Sequence, residues 1–566
     1  MNASTDHPER PWTKRQVLAE IVLIFAVFFI QGAYPVPDKN EPNYLGKAIH
    51  FWNPQWGQGD FYLESKDAHA VFYFTFGWLS LVLSPVALAW TGRVLTWGLM
   101  AWAWRRLSFA VVLRPWFSIL TAALFGGLTE YCHLAGEWVI GGLEAKGFAF
   151  VLVFLGLEAM VRGRWNRTWL LLGAASAFHV LVGGWAVVAA ALTWLVCRKD
   201  RPKLLSMVPA ILGGLLLSLP GMIPALLLNR GVSSEIIQQA NFIYVFGRLA
   251  HHLAPWVLPE YFPLQFTLFA LAFFLWLALI WITPAGPPAR RLQVFVGAAV
   301  LIAIVGGTLG PLAYYDADLA AGLLKFYWFR LSDVAVPLGA ALAIGSLVVW
   351  LLQSRPAVGK WALAIAVTAA SVPVGINTIR LFQRAPERAF RLAAPIMDPD
   401  RSAEQDRSTR YADWREVCDW IAAPGNIPPG ARFLTPKESC TFKWYTGRAE
   451  VVTWKEVPQD AWAIVQWWQR LQEIHGYDDQ QPDAQWHAKL TELGPRRLRQ
   501  LDLKDPVRAR TAEEAWQIYY ELIARWLRKI GRQYKADYVL TVTWPPLDLP
   551  VVYKNRSYVI YRLSDE

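Results

Sequence analysis

The sequence predicts a polytopic α-helical membrane bundle that carries a C-terminal soluble α/β domain. Apolar stretches follow one another through residues 17–377, and about 20 apolar residues in a helix cross the hydrocarbon core of a bilayer. The chain has 566 residues, of which 55% are hydrophobic and only 17% are charged. Soluble proteins usually carry more charge than this. We therefore divide the chain into a membrane domain, residues 1–380, and a soluble domain, residues 385–566.

About eleven spans are expected, and the Lys and Arg residues of the short loops orient them, because such loops stay in the cytoplasm. With a cytoplasmic N-terminus, every expected inner loop contains at least two basic residues. The expected spans are residues 17–34, 85–104, 110–128, 147–161, a hairpin of two spans within 168–197, 204–222, 263–283, 292–311, 332–352 and 361–377. This arrangement places the soluble domain outside the cytoplasm. A single span over residues 168–197 would reverse that, and the basic clusters at both of its ends argue against it.

The overall charge of +11 fits the same class of protein. Excess Lys and Arg in a membrane protein indicates cytoplasmic loops that face anionic lipid. The 31 Trp residues also fit, because Trp prefers the interface between membrane and water. No basic run with interleaved aromatic residues occurs, so nucleic acid is excluded as a partner and membrane lipids are expected instead.

The first outer loop, residues 35–84, is large and acidic. Its last part, residues 70–84, is apolar and aromatic but too short to cross a bilayer comfortably, so we expect a helix that lies in the interface. The soluble domain is expected to alternate helices with short strands, which is typical of a small α/β layer. The expected helices are residues 413–421, 459–474 and 512–530, and the expected strands are residues 431–435, 450–454, 536–543 and 557–563. Cys418 and Cys440 could pair in an oxidising compartment or remain two buried thiols, and both alternatives stay open.

Ionisable residues beside membrane spans are candidates for function, because a charge at membrane depth is costly. Asp38 and Glu41 follow the first span and are three residues apart, so on a helical turn they share a face. Two carboxylates there could act on a hydroxyl group or bind a metal ion. The alternative is a solvated loop whose acids cap a helix.

A second group of candidates lies on the same outer side of the bilayer. Glu144 precedes the fourth span, where it could cap the helix through the helix dipole. With Lys146 and the acids of the first loop it could instead line a polar cavity at the membrane surface. His179 lies at the outer turn of the hairpin, where a lone His is either a packing residue or a ligand for substrate.

A third group flanks the entry to the tenth span. Lys325, Arg330 and Asp333 lie within one short stretch, and a planar guanidinium suits a phosphate group that arrives from the lipid headgroup layer. The alternative is a belt of aromatic and basic residues at the interface.

The organisation of residues 1–380 resembles the GT-C superfamily of integral-membrane glycosyltransferases. The stretch Asp38-Lys-Asn-Glu41-Pro-Asn-Tyr-Leu-Gly-Lys-Ala48 resembles the acidic motif in the first outer loop of those enzymes. The second span with Arg93 and the following Arg105-Arg106 resemble the next segment of the family, and Glu144-Ala-Lys146 falls where its second outer acid lies. The two acids of the first motif are separated by two residues instead of the usual one, which leaves the identity of the base and any role of a divalent cation open.

The resemblance implies inverting transfer of a sugar from a polyprenyl-phosphate carrier to an unidentified acceptor outside the cytoplasm. By analogy, Asp38 or Glu41 would be the general base, and Arg330 or Lys325 would hold the carrier phosphate. Glu144 would orient the substrate or a cation. The implied location is the bacterial inner membrane. The alternative functions are a non-catalytic membrane scaffold and a lipid or glycan transporter, each with a soluble binding domain.

Overall fold

The chain folds into a helical bundle with a mixed α/β domain seated on one end. The computed structural model describes residues 13–255, 263–383, 386–391, 407–475, 512–543 and 546–563. The helices of the membrane domain are α1 (Lys14–Gly32), α2 (Glu41–Trp52), α3 (Phe61–Glu64), α4 (Ala70–Thr75), α5 (Pro85–Val111), α6 (Phe117–Tyr131), α7 (Ala145–Val161), α8 (Trp165–Phe178), α9 (Val180–Val196), α10 (Leu204–Leu227), α11 (Ser234–Phe242), α12 (Ala250–Leu253), α13 (Pro263–Ile282), α14 (Pro287–Thr308), α15 (Ala317–Leu324), α16 (Arg330–Ser354) and α17 (Pro356–Phe382).

Six of these helices are long and apolar enough to cross a bilayer: α1, α10, α13, α14 with the turn that follows it, α16 and α17. Their outward surfaces carry large apolar side chains, such as Leu205 and Trp281, which are 84% and 89% exposed. Contiguous exposure of this kind is costly in water and favourable against lipid. The prediction of a multi-pass membrane protein is thus supported. A helix also occurs at every other expected span, and whether α5 to α9 cross the bilayer stays a prediction.

The two ends of the bundle differ in chemistry. At one end, arginines at or near helix ends pair with buried acids, as Arg106 of α5 and Arg162 do with Glu158 at 3.0 and 2.7 Å. Arg105 pairs in the same way with Glu20 at 2.9 Å. The acidic loops and the soluble domain gather at the opposite end. Helices that alternate in direction bring these loops together although they are far apart in sequence.

Residues 70–84 fold as α4 and a 3₁₀ turn, Gly77–Leu81, at the side of the bundle. Phe72 and Phe76 are buried, whereas Phe74 and Val82 are exposed by 59% and 73%. One side therefore packs on the bundle while the other presents apolar rings. This is the arrangement expected of a helix that lies in the membrane interface.

The soluble domain contains a five-stranded sheet with the order β2-β1-β3-β5-β4. β1 runs parallel to β2 and β3, and β5 runs antiparallel to β3 and β4. Its elements are α18 (Arg407–Ala422), β1 (Arg432–Leu434), α19 (Phe442–Thr446), β2 (Ala449–Glu450), α20 (Ala461–His475), α21 (Ala512–Tyr534), β3 (Tyr538–Val542), β4 (Val551–Lys554) and β5 (Tyr558–Arg562). The expected helices are present, as are the strands expected at residues 431–435, 536–543 and 557–563. The strand expected at residues 450–454 is wrong over residues 451–454, because β2 ends at Glu450, and neither α19 nor the edge strand β4 was expected.

The soluble domain shares its core and its buried charges with the outer loops of the membrane domain. Ala240 and Ile243, which belong to the outer segment after α10, are buried in the same apolar cluster as α20 and β3. The Lys443 ammonium is fully buried and pairs with Asp60 of the first outer loop at 3.2 Å and with Glu450 at 2.8 Å. Buried ionic groups of this kind hold a unique arrangement, because separating them would leave unpaired charge.

Cys418 and Cys440 are both buried free thiols. The Cys440 thiol donates a hydrogen bond to the Ala389 carbonyl at 3.4 Å. Of the two alternatives that the sequence leaves open, the structure has the unpaired one.

Candidate functional site

The second outer loop, between α6 and α7, is held in place by Asp333. This carboxylate is fully buried in the first turn of α16 and accepts hydrogen bonds from the backbone N–H groups of Leu134, Ala135 and Glu137 at 2.8, 2.9 and 3.2 Å. A carboxylate with several such donors is strongly anchored. Asp333 therefore positions the loop that carries Glu137, and does not itself contact a substrate space.

Glu41 holds the first outer loop against the bundle. It begins α2, followed by Pro42, which is suited to a first helical turn. Its carboxylate accepts two hydrogen bonds from Arg93 of α5, each at 2.7 Å, and both side chains are fully buried. It also accepts the backbone N–H groups of Asp38 and Leu143 at 2.7 and 2.8 Å. Glu41 thus joins the first outer loop, α5 and the second outer loop at one junction, and both of its carboxylate oxygens accept hydrogen bonds from protein donors.

Asp38 serves the same junction from the other side. It is 2% exposed and accepts the backbone N–H groups of Lys39 and Gly142 at 2.8 and 2.9 Å. The Arg388 Nε atom lies 3.6 Å from the Asp38 Oδ1 atom. A Cβ atom at Gly142 would lie 2.6 Å from the Asp38 Cβ, so only glycine lets the second loop approach these acids so closely.

A polar cavity opens beside this junction, at the same end of the bundle. It has a volume of about 180 Å³. Its walls come from the first and second outer loops, the segment around α12, the start of α16 and the soluble domain. The residues that line it are Asn40, Asn43, Tyr44, Tyr62, Asp67, His69, Tyr73, Gly136, Glu137, Trp138, Glu144, Lys146, Tyr244, Arg248, Leu249, His252, Tyr327, Arg330, Lys455, Val457, Pro458 and Gln459.

Two carboxylates and two cations form a chain along one wall of the cavity. Lys146 contacts Glu137 at 2.9 Å and Glu144 at 3.2 Å, and the Arg330 Nε atom contacts Glu137 at 2.7 Å. Glu144 also accepts a hydrogen bond from Asn40 at 2.6 Å. Glu144 stands at the N-cap of α7 but makes no capping hydrogen bond, so its side chain is directed to the cavity instead.

The surroundings push the two carboxylates toward different protonation. Burial raises the pKa of Glu144, and the nearby Lys146 and Asn40 only partly offset this. Burial acts in the same direction on Glu137, but Arg330 and Lys146 outweigh it and hold its pKa below the ordinary value. A pair of acids whose pKa values are pushed apart can divide its work, one staying charged and the other exchanging a proton. Glu144 is the member suited to proton exchange.

Arg330 is fixed in orientation by its neighbours. One terminal nitrogen donates to the His179 Nε2 atom at 3.1 Å, and the guanidinium stacks on the Tyr327 ring at 3.9 Å from its centre. His179 therefore supports Arg330 from behind and does not line the cavity. Lys325 also lies off the cavity, where its ammonium donates to Asn241 at 3.2 Å.

Tyrosines and an Asp–His pair also line the cavity. Asp67 accepts hydrogen bonds from the backbone and ring nitrogens of His69, at 2.6 and 2.9 Å. Burial opposes ionisation of Asp67, but the contact with His69 lowers its pKa well below the ordinary value. Burial raises the pKa of Tyr44 and Tyr62, so both remain neutral phenols that can donate hydrogen bonds.

The predicted site residues thus separate into three groups. Glu144, Lys146 and Arg330 line the cavity. Asp38, Glu41, Asp333 and His179 hold the loops and side chains around it, while Lys325 lies elsewhere. No sequence pattern singles out Lys455 or Gln459, since both come from the soluble domain.

The sequence did not lead us to assign a role to Glu137 of the second outer loop. Its signal was the spacing to Glu144 and Lys146, which places all three on one short outer segment. Within the described residues, no three His, Cys, Asp or Glu side chains are grouped as a metal ion would require. The Lys146 ammonium occupies the place between Glu137 and Glu144 that a divalent cation would take, and no step below uses a metal.

Residues 412–474 match a family described as a domain of unknown function (DUF6798). The match covers a small part of the chain, from α18 to α20. It includes β1, β2 and the segment that reaches the cavity. No curated protein matches the sequence.

Proposed function

We propose that this protein is an integral-membrane glycosyltransferase that moves a sugar from a polyprenyl-phosphate carrier to an acceptor on the extracytoplasmic side. The observation that supports this most is the cavity in which Glu144 and Glu137 alternate with Lys146 and Arg330. It lies where the apolar bundle meets the polar outer domain. A lipid-linked donor needs this position, because its chain stays in the bilayer while its sugar enters water.

Glu144 replaces Asp38 and Glu41 as the general base in this proposal. A general base must reach the proton that it removes, and a raised pKa suits that task. Glu144 lines the cavity and has such a pKa, whereas the carboxylates of Asp38 and Glu41 are used to hold backbone N–H groups and Arg93. The two acids of the first motif then act by positioning Asn40, which donates to Glu144.

The proposed reaction is a single displacement at the anomeric carbon. The acceptor hydroxyl oxygen forms a bond to that carbon as its proton passes to Glu144. The bond from the same carbon to the carrier phosphate oxygen breaks, and the phosphate leaves with the electron pair. Arg330 and Lys146 face the cavity from the same wall and stabilise the charge that develops on the phosphate. Configuration at the anomeric carbon is inverted.

The aromatic residues of the cavity fit a sugar ring. Trp138 stacks on the Lys146 ammonium at 4.2 Å, and Tyr44 packs against His69 with 5.0 Å between ring centres. Rings with a polar tip contact the apolar face of a sugar and donate to its hydroxyl groups. A cavity without such rings would fit a bare phosphate or an ion better.

The test compares three chains in membranes that contain a polyprenyl-phosphate sugar donor with a radiolabelled sugar. Glu144→Gln removes the base and keeps the shape, so transfer is expected to fall by about 10²–10⁴-fold. The control is Glu235→Gln, because Glu235 is an exposed acid of another outer segment.

Unchanged transfer in Glu144→Gln with a folded protein would refute the assigned base. A wild-type chain that transfers no sugar from any lipid-phosphate donor would favour the scaffold or transporter instead.

A further inference from the structure

The soluble domain contributes one segment, residues 454–460, to the wall of the cavity. The Trp454 carbonyl accepts a hydrogen bond from Arg248 at 3.0 Å, and the Lys455 carbonyl accepts one from Asn43 at 3.4 Å. Both donors belong to outer segments of the membrane domain. The backbone of Lys455 is therefore held between two parts of the bundle.

The far end of the same segment is attached as well. The Gln459 side chain accepts the Ala68 N–H at 3.1 Å, and its amide nitrogen lies 3.0 Å from the His69 Nδ1 atom. Asp460 accepts the Lys66 N–H at 3.2 Å. The segment is thus bonded to the first outer loop at its end and forms a fixed wall of the cavity.

Lys455 differs from the other cations on the cavity wall. Arg330 and Lys146 have carboxylate partners within 3.2 Å. Among the residues that the structure describes, no carboxylate lies within ion-pair distance of the Lys455 ammonium, which lines the cavity and is partly buried. A buried cation without a partner is costly unless an anion compensates it.

The wall as a whole carries more positive than negative charge. Lys146, Arg248, Arg330 and Lys455 face Asp67, Glu137 and Glu144. The excess is one positive charge when the histidines are left out of the count, and burial lowers the pKa of His252, which keeps that ring neutral. The charge of the cavity therefore favours an anionic ligand.

We propose that Lys455 of the soluble domain is a ligand for the phosphate group of the lipid-linked substrate, so that the soluble domain completes the substrate site. The identity of the ligand as a lipid phosphate rests on the proposed function. The anion-binding role of Lys455 rests on its position and on the charge that surrounds it. The domain that matches DUF6798 then contributes directly to substrate binding.

The test measures binding of farnesyl monophosphate to the purified full-length chain in nanodiscs by calorimetry, with farnesol and inorganic phosphate as comparison probes. Lys455→Gln is expected to weaken farnesyl phosphate binding about 10- to 100-fold, because a hydrogen bond to a charged group is lost. Farnesol binding should not change, and Lys455→Arg should retain most of the affinity. Lys554→Gln is the control, since Lys554 is an exposed lysine of the same domain.

A pH series on the wild-type chain needs no substitution. Burial and the nearby Arg248 lower the pKa of Lys455 to about 8, and further ionisable groups that act on it are Cys440, Glu144, Lys39, His251 and His252. Affinity for farnesyl phosphate should fall about tenfold between pH 7 and pH 9 as the ammonium loses its proton. Lys455→Arg should remove the part of this fall that belongs to residue 455, while any part due to Lys39 persists.

The outcomes separate the two proposals. Equal affinity of Lys455→Gln and the wild type for farnesyl phosphate would overturn the role of Lys455, even if sugar transfer depends on Glu144. If Lys455→Gln loses affinity for both inorganic phosphate and farnesyl phosphate, a phosphate site at Lys455 is supported. If it does so while the wild-type chain transfers no sugar, the phosphate site is still supported and the glycosyltransferase proposal is refuted.

Discussion

Removal of the Glu41 charge gives the sharpest test of whether this acid is structural. In Glu41→Gln, the Arg93 guanidinium stays fully buried without its carboxylate, and the Tyr34 carbonyl at 2.5 Å is left as a neutral acceptor. Breaking a buried ion pair by removing one partner costs about 3–5 kcal/mol. At about 2 °C per kcal/mol for a large chain, the midpoint of thermal unfolding should fall by about 6–10 °C.

A double substitution checks the reasoning. Glu41→Gln with Arg93→Met removes both charges, while the glutamine oxygen still accepts backbone N–H groups. The loss in free energy of unfolding should be smaller in the double variant than the summed losses of the two single variants, by at least about 2 kcal/mol. The reason is that substitutions of contacting residues do not act additively. Glu64→Gln is the control, since Glu64 is an exposed acid of the same loop.

The assay is size-exclusion chromatography of detergent-solubilised protein after heating, followed by sugar transfer in membranes. If Glu41→Gln keeps the midpoint of thermal unfolding but loses sugar transfer, the structural role is refuted and Glu41 takes part in the reaction itself. A lowered midpoint in the single variant that recovers in the double variant supports the junction described above.

Three further predictions concern the loop, the domain junction and the topology. Asp333→Asn should destabilise the chain by about 1–3 kcal/mol, because the amide NH₂ faces backbone donors. Hydrogen exchange should rise in the second outer loop, and unchanged exchange would contradict the role of Asp333. Glu456 contacts the buried Lys443 ammonium at the junction of the two domains. Burial raises the pKa of Glu456 to about 8, so the folded state binds a proton that the unfolded state releases near pH 4.5. Stability should therefore fall as pH rises from about 5 to 8, and Glu456→Gln should flatten this thermal-midpoint profile. Lys554→Cys should react with an impermeant maleimide in intact cells, with the unsubstituted chain as background, and labelling only after permeabilisation would reverse the expected topology.

Much of the fold was accessible from local pattern. A helix occurs where the span at residues 147–161 is expected, namely α7, Ala145–Val161, because an apolar run of this length favours a helix over a strand. The strand expected at residues 536–543 is β3, Tyr538–Val542, which is almost wholly buried. The strand β4 was missed because it is a short edge strand whose side chains are partly exposed, so it lacks a buried pattern.

The candidate site was accessible only in part. Glu144, Lys146 and Arg330 were placed on one side of the bilayer from the orientation of the spans, and they do line one cavity. The roles within the site did not follow from that placement. Glu41 is paired with a residue 52 positions away, and Lys455 arrives from a different domain. Contacts over such separations depend on how the loops pack.

The apolar runs and the basic short loops by themselves determined a helical membrane protein, the end at which its acidic loops meet, and a helix–strand tail. Each of these depends on the local match between side chains and their solvent. Tertiary structure alone decided which carboxylate is consumed in a buried ion pair and which faces open space. It also decided that Lys455 reaches the cavity, because hydrogen bonds and charge depend on distance in space and not on position in the chain.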